Sequence, residues 1–329
     1  MKKLPIGIDN YCLHPLGLSP LEVLKWAREN QAEGVQFSGL HPEDAAKVDE
    51  SYLRELAAYT SENSLYLEWG EGQHIPFDME TWKEKDIFPI NRRAAEQASI
   101  LGTRIVRSCS GGLMRWDDKS PMTETLLQKM AESLIAQRQM LRDNNVLLAL
   151  ETHFEFTTHE LFWLLERCEA EPGDFLGICL DTMNLLTMLE DPLEATQRIL
   201  PWVVSTHIKD GAVLLKEEGL VTFPAEIGLG VIDLKEICHL LTQLPEEVHL
   251  SIEDHGGSFH LPVFDPLFRS KFPDLTTGEF ARIVYLALQT KEKMDKGKLA
   301  ITEREDWPHI CEPRIKRDIL ALKQMLRQH

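Results

Sequence analysis

Four short segments carry residues that could bind a cation and move protons. They read Leu148-Ala149-Leu150-Glu151-Thr152-His153, Ile178-Cys179-Leu180-Asp181, Ser205-Thr206-His207-Ile208-Lys209 and Ser251-Ile252-Glu253-Asp254-His255. Side chains alternate faces along a strand. On one face lie the small residues Ala149, Cys179, Ser205 and Ser251, each followed two positions later by Glu151, Asp181, His207 or Glu253. On the other face Leu150, Leu180, Ile208 and Ile252 are suited to packing under helices. Three carboxylates converging without a partner are costly to bury, and a divalent cation removes that cost. Two Glu, one Asp and one His make a mixed oxygen and nitrogen donor set suited to Mn²⁺, Mg²⁺, Co²⁺ or Zn²⁺. A rim Glu taken singly is usually solvated, and a single inward His is usually a hydrogen-bonded core residue. Four strands with the same offset are a stronger pattern.

Such residues need a scaffold that brings strand ends together. Strand candidates begin at Ile6, Val35, Leu65, Arg104, Val146, Leu176, Val203 and Val248, with amphipathic helical segments between them. Strands alternating with helices imply parallel βαβ units, and eight units predict an α/β fold of the closed (β/α)8 type. In that fold chemistry sits at the C-terminal rim of the strands. A doubly wound open sheet is the competing arrangement. Ser19-Pro20 and Asp191-Pro192 read as cap and first-turn pairs of two helices. The aromatic and proline-rich run after Asp254 reads as an insertion behind the eighth strand. Its Phe259, Phe264 and Phe268 could form a lid or a subunit contact, so a homo-oligomer is compatible with it. The division expected is a barrel over residues 1–300 and a C-terminal helical extension over residues 301–329.

Composition narrows the function. The 329 residues carry 35 basic and 53 acidic side chains, a net charge of −18, with no basic stripe of the kind nucleic-acid binding needs. No stretch approaches the roughly 20 apolar residues that cross a bilayer. Six scattered cysteines without a CxxC pair point to free thiols and the cytoplasm. There is no P-loop and no GxGxxG, so no nucleotide cofactor is implied.

The motifs LALETH, GICLDTMN, STHIKD and LSIEDHGG, with GLGVIDLKEI before the last strand, resemble the xylose-isomerase-like barrel superfamily of sugar epimerases, hydroxypyruvate isomerase-type enzymes and endonuclease IV. The resemblance implies that Glu151, Asp181, His207 and Glu253 are metal ligands. Two departures matter. Asn184 stands where epimerases and endonuclease IV generally have a His, and the fourth strand, Arg104 to Cys109, lacks the His of a trinuclear zinc cluster. With the negative charge, the second departure argues against DNA repair. The segments Gly7 to Tyr11 and Gln36 to Gly39 resemble sugar-acid decarboxylases of the 3-oxo-isoapionate type.

The reaction expected is isomerisation or epimerisation of a small sugar or sugar-derived keto acid through a metal-stabilised enediolate, with Glu151 and Glu253 exchanging protons and Lys209 stabilising the oxyanion. The alternative is metal-dependent decarboxylation of a 3-oxo sugar acid, with Arg107 or Lys209 gripping the carboxylate. A non-catalytic sugar-binding protein is a third possibility. Lys209 could instead bridge a rim carboxylate, and Arg107 could pair with Glu68. Glu68, Arg107, His153, Asn184 and His255 are the substrate-contact candidates, with Trp69 and His74 behind them.

Overall fold

A computed structural model describes residues 2–109, 112 and 114–327 of the chain. Its strands are β1 (Ile6–Asp9), β2 (Gly34–Phe37), β3 (Tyr66–Gly72), β4 (Ile105–Ser108), β5 (Leu147–Glu151), β6 (Leu176–Asp181), β7 (Val203–Ile208), β8 (Asp210–Lys216), β9 (Gly219–Ala225), β10 (Leu250–Ile252) and β11 (Phe259–Leu261). The first seven and β10 close into a parallel barrel, in the order β1-β10-β7-β6-β5-β4-β3-β2. The expected (β/α)8 architecture is therefore present, and the open sheet is not.

Closure follows from the sequence pattern. The buried runs of β5 and β6 are apolar on both faces until their last residue, as strands enclosed by helices must be. Helices begin where caps were legible. The Ser19 N–H donates to the Glu22 carboxylate at 2.9 Å ahead of helix Pro20–Glu29. Asp191 accepts from Leu193 and Glu194 at 3.0 and 3.1 Å to start helix Pro192–Ile199. At the closed end of the barrel, Tyr66 stacks on His249 at 3.9 Å between ring centres and lies 2.9 Å from the Ser251 hydroxyl. Gly34 makes room for it, because a Cβ there would stand 2.2 Å from the Tyr66 ring.

The eighth unit holds an element the sequence pattern did not announce. β8 and β9 form an antiparallel hairpin between β7 and β10, and β11 adds to its edge to make a three-stranded sheet. Asp210 fastens the hairpin base, accepting backbone N–H groups from Gly211, Gly228 and Gly230 at 2.8, 2.9 and 3.0 Å. Burial raises its carboxyl to about 6, against the pull of those donors. The insertion after β10 contributes β11 and helix Pro266–Ser270, and is followed by helix Thr277–Asp295.

Beyond residue 300, helix Trp307–Arg327 lies against the barrel. The buried Trp307 indole donates to the Cys12 carbonyl at 3.0 Å. Arg314 pairs with Asp254, the residue after Glu253, at 2.6 Å. Asp318 accepts the Ile227 N–H at 2.8 Å. All six cysteines are free, with Cys109 alone less than fully buried. Among the described residues, no helix is long and apolar enough to cross a membrane.

A buried ion network joins three outer helices and yields a pH prediction. Glu190 accepts the Thr158 N–H at 2.9 Å and pairs with Arg198 at 2.8 Å, and Arg198 reaches Glu279 at 2.9 Å. Burial raises the Glu190 carboxyl from 4.5 to about 7, although Thr158 and Arg198 oppose it. The folded state thus holds a proton that the unfolded chain releases. That contribution favours folding at acid pH and is lost as pH rises through about 7. In urea titrations between about pH 5 and pH 8, Glu190→Gln should lose less stability than the wild type as pH rises. Parallel curves would show that the carboxyl is already ionised at the lower end.

Candidate active site

The offset that selected four residues places them together. Glu151, Asp181, His207 and Glu253 are all buried at the C-terminal ends of β5, β6, β7 and β10. The register aligns Asp181 with His207 and Ser251 with His207, so Glu253 follows one pleat further out. His207 Nδ1 lies 3.2 Å from Glu151 Oε1, 3.8 Å from Glu253 Oε2 and 4.0 Å from Asp181 Oδ2. One ligand atom from each of Glu151, Asp181 and His207 falls within 4.8 Å of the others. The small residues two positions earlier form the layer beneath, where Ser205 donates to Glu68 at 2.5 Å.

Two further barrel residues belong to this layer. Asp9, at the end of β1, lies 3.4 Å from His207 Nε2, and the Gln36 amide oxygen on β2 bonds the same nitrogen. Both obey the rule that located the first four: Gly7 precedes Asp9, and Gly34 precedes Gln36, by two positions.

Two cations enter the cluster from the same rim. Lys209 Nζ is 3.0 Å from Asp181 Oδ2 and also pairs with Glu253. Arg107 on β4 pairs with Glu151, and donates to the Ser38 carbonyl at 3.2 Å. Burial alone would raise the Glu151 carboxyl, but Arg107 and His207 pull it well below the usual range. Glu253 is likewise lowered, by Lys209 and His207 against burial. Asp181 is raised by burial, which outweighs Lys209. His207 is raised despite burial, because Cys179, Glu151 and Glu253 surround it.

These features fit a divalent cation. Four buried carboxylates, Asp9, Glu151, Asp181 and Glu253, face two paired cations, Arg107 and Lys209. A bound divalent ion would displace the proton that the surrounding acids hold on His207 and balance the two carboxylates in excess of Arg107 and Lys209. Asp181 Oδ1 is fixed by the Met183 and Asn184 N–H groups, both at 2.9 Å, while its buried Oδ2 faces the cluster, 3.0 Å from Lys209 Nζ and 4.0 Å from His207 Nδ1. Glu151, Asp181, His207 and Glu253 could therefore hold such an ion, and their oxygen and nitrogen donors suit the Mn²⁺, Mg²⁺, Co²⁺ and Zn²⁺ group.

The cluster opens on a cavity of about 590 Å³, a volume suited to a small ligand. Arg107, His153, Asn184, Lys209 and His255 all line it. The Asn184 side-chain oxygen is buried without a hydrogen bond. Burial, with Lys209 nearby, lowers His255 to about 4.

Glu68 is a correction. β3 continues past it to Gly72, so Glu68 sits within the strand and not at its end. Its carboxylate bonds Gln36, Ser205 and His249 in the barrel interior, beneath the cluster, and it does not border the cavity. The pairing of Arg107 with Glu68 is likewise replaced by the pair with Glu151. Trp69 points outward and donates to Gln97 at 3.0 Å, and His74 is buried against Ser108 at 2.8 Å. Of the three aromatic candidates in the insertion, Phe259 borders the cavity and packs on Phe154 at 4.4 Å. Phe268 is buried and Phe264 is exposed. Tyr11, His14, His41 and Arg304 also border the cavity, and no sequence signal had marked them.

A closed parallel barrel with acids and an imidazole gathered at its C-terminal mouth defines a (β/α)8 protein with a candidate metal site. Residues 24–266 match the xylose isomerase-like TIM barrel family, and the chain belongs to that family. Over 151 residues it is 26% identical to YihM of Escherichia coli K12, covering 45% of this chain and 44% of that protein. Over 92 residues it is 34% identical to 3-oxo-isoapionate decarboxylase of Pectobacterium atrosepticum, covering 27% of this chain and 32% of the other. These matches span less than half the length of either curated relative. A solved L-ribulose 3-epimerase shares the fold, with a TM-score of 0.58 and 19% identity over 91% of this chain and 99% of that one.

The Arg107–Glu151 pair gives a stability prediction. With metal removed by a chelator, Arg107→Met should cost about 3–5 kcal/mol in urea unfolding, because Glu151 is left buried without its partner. Adding Glu151→Gln should recover most of that loss. Equal stability of the single variant and the wild type would mean the pair carries no net weight.

Proposed function

We propose that this chain is an isomerase or epimerase acting on a small sugar or sugar-derived keto acid, with one divalent cation held by Glu151, Asp181, His207 and Glu253. One observation carries the reading. Two carboxylates that could exchange a proton, Glu151 and Glu253, stand with two strands between them in the barrel order, on either side of the Asp181–His207 pair, facing one cavity. Membership of the family and the fold shared with an epimerase support it. The cytoplasm is part of the same proposal and rests on the free thiols.

The substrate's carbonyl and neighbouring hydroxyl would lie at the cluster. One carboxylate takes the proton from the carbon between them, and the electron pair left behind moves onto the carbonyl oxygen. The same carboxylate can return that proton to the neighbouring carbon for isomerisation, and for epimerisation the second returns one to the opposite face once ligand binding has protonated it against the pull of its neighbouring cations. Lys209, its ammonium favoured by Asp181 and Glu253 against burial, offers positive charge to that oxygen. Asn184 and His255 are placed to hold hydroxyl groups, and Phe154 with Phe259 excludes water on one side. A bound divalent cation would supply Lewis-acid stabilisation of the developing negative charge.

A second reading, loss of CO₂ from a 3-oxo sugar acid, is favoured by Arg107 and Lys209 bordering one cavity, where they could grip a carboxylate, and by the match to a decarboxylase. Turnover in D₂O separates the two. Epimerisation should leave solvent deuterium on carbon with no carbon lost, and CO₂ release would replace this reading with the second. Glu253→Gln should fold normally and lower turnover at least about a hundredfold, and near-normal activity would remove Glu253 from proton transfer.

Metal dependence is read by unfolding. Mn²⁺ at a hundred times its Kd should stabilise the chelator-treated wild type by about 2.7 kcal/mol. Asp181→Asn should lose most of that gain. A wild type indifferent to every divalent ion tested would favour a binding protein without catalysis.

A further inference from the structure

A second group of ligand-type side chains stands on the same cavity. Cys109 immediately follows β4, and His153 and Glu155 follow β5 at two-residue steps beyond Glu151. β4 and β5 are neighbours, with Ser108 aligned to Leu150, so the two strand ends deliver these residues to one place. One ligand atom from each lies within 4.8 Å of the other two.

We propose that Cys109, His153 and Glu155 form a second cation site, suited to a thiophilic divalent ion of the zinc type, at the edge of the cavity. The proposal shares the cavity with the reading above but does not depend on which reaction occurs there. Zinc bonds of about 2.0 Å to nitrogen and about 2.3 Å to sulfur place tetrahedral ligands roughly 3.3–3.5 Å apart, so Cys109 must approach by about 1.3 Å at most and the His153–Glu155 pair must open by about 0.4 Å. Part of the shell is already in place. His153 Nδ1 meets Glu155 Oε1 at 2.9 Å, and the Cys109 thiol stands within 4.8 Å of a ligand atom of each. An ion would replace the proton shared by imidazole and carboxylate.

Charge and burial favour this over an ordinary hydrogen-bonded cluster. A thiolate and a carboxylate neutralise one divalent ion. Glu155 is buried to 1% exposure, and its ion pair among the described residues is with His153. The adjacent Arg115 pairs with Glu160 and meets only the main-chain carbonyl of Glu155. Elsewhere, His159, Glu190 and Glu279 also come together, but Arg198 already bridges their two carboxylates. Between Cys109 and Glu155 the cation is the His153 imidazolium, whose proton an ion would displace, and no Arg or Lys pairs with either among the described residues. Cys109 and His153 border the cavity, so three protein ligands would leave a fourth position facing it, as in zinc sites that accept an outside oxygen. The sulfur donor also separates this site from the oxygen-rich primary cluster, so the two would prefer different ions.

The test uses the full chain with Zn²⁺ and Co²⁺ alone. The chelator-treated wild type should take up two equivalents of Zn²⁺, and Cys109→Ser should take up one. Added Co²⁺ should give a thiolate-to-cobalt charge-transfer band in the wild type and in Asp181→Asn, absent from Cys109→Ser. In the intact protein, iodoacetamide should alkylate Cys109 ahead of the five buried cysteines, and Zn²⁺ should protect it, as read by peptide mass. Glu155→Gln should weaken that protection at least about tenfold, which keeps the test decisive if Cys109→Ser fails to fold. Zn²⁺ uptake unchanged by Cys109→Ser, no charge-transfer band, or alkylation unchanged at saturating Zn²⁺ would overturn the site. Because none of these readouts involves turnover, loss of the isomerase reading would leave the result intact.

Discussion

Too much negative charge in one dry layer is the constraint around which this barrel is arranged. Asp9, Glu151, Asp181 and Glu253 converge on His207 with almost no solvent to screen them. A barrel can impose this because its strands are fixed by backbone hydrogen bonds and by the helices outside, so the acids cannot retreat. The chain answers with Arg107 on one flank and Lys209 on the other, and with donors that pin single oxygens. What these leave uncompensated is the room for a divalent ion.

The layer below serves the same end without chemistry of its own. Glu68 takes hydrogen bonds from Gln36, Ser205 and His249, and Gln36 in turn meets His207. Tyr66 and His249 fill the bottom of the barrel where Gly7 and Gly34 leave space. The imidazole at the centre is therefore held from beneath by polar side chains and flanked by carboxylates above, which fixes its ring before anything binds.

Much of this was legible because the period of a strand is two. The pairs Ala149/Glu151, Cys179/Asp181, Ser205/His207 and Ser251/Glu253 showed both the face and the height of the cluster. Asp9 and Gln36 carried the same signal in shorter, less apolar strands. Glu68 misled because LYLEWG reads as a strand that stops at the glycine, whereas backbone pairing carries β3 on to Gly72. The β8–β9 hairpin stands outside the eight-unit pattern, and the polar group that anchors it, Asp210, gathers N–H donors up to 22 residues away. Tyr11 and His14 reach the mouth from a short 3-10 helix, Asn10–Leu16, and His41 and Arg304 from connecting segments, where no long periodicity records direction.

The tail behind the barrel bears on the mouth in two ways. Arg314 grips Asp254 beside Glu253, and Arg304 reaches the cavity rim near His255 at 3.2 Å. The Arg304 side chain lies along Gly257, where a Cβ would come within 3.4 Å of its Nε. A segment outside the eight repeating units thus supplies part of the wall that a ligand meets first. Natural variation in that tail could redirect the choice of ligand while the acids at the strand ends stay untouched, so the two halves of recognition are free to evolve at separate rates.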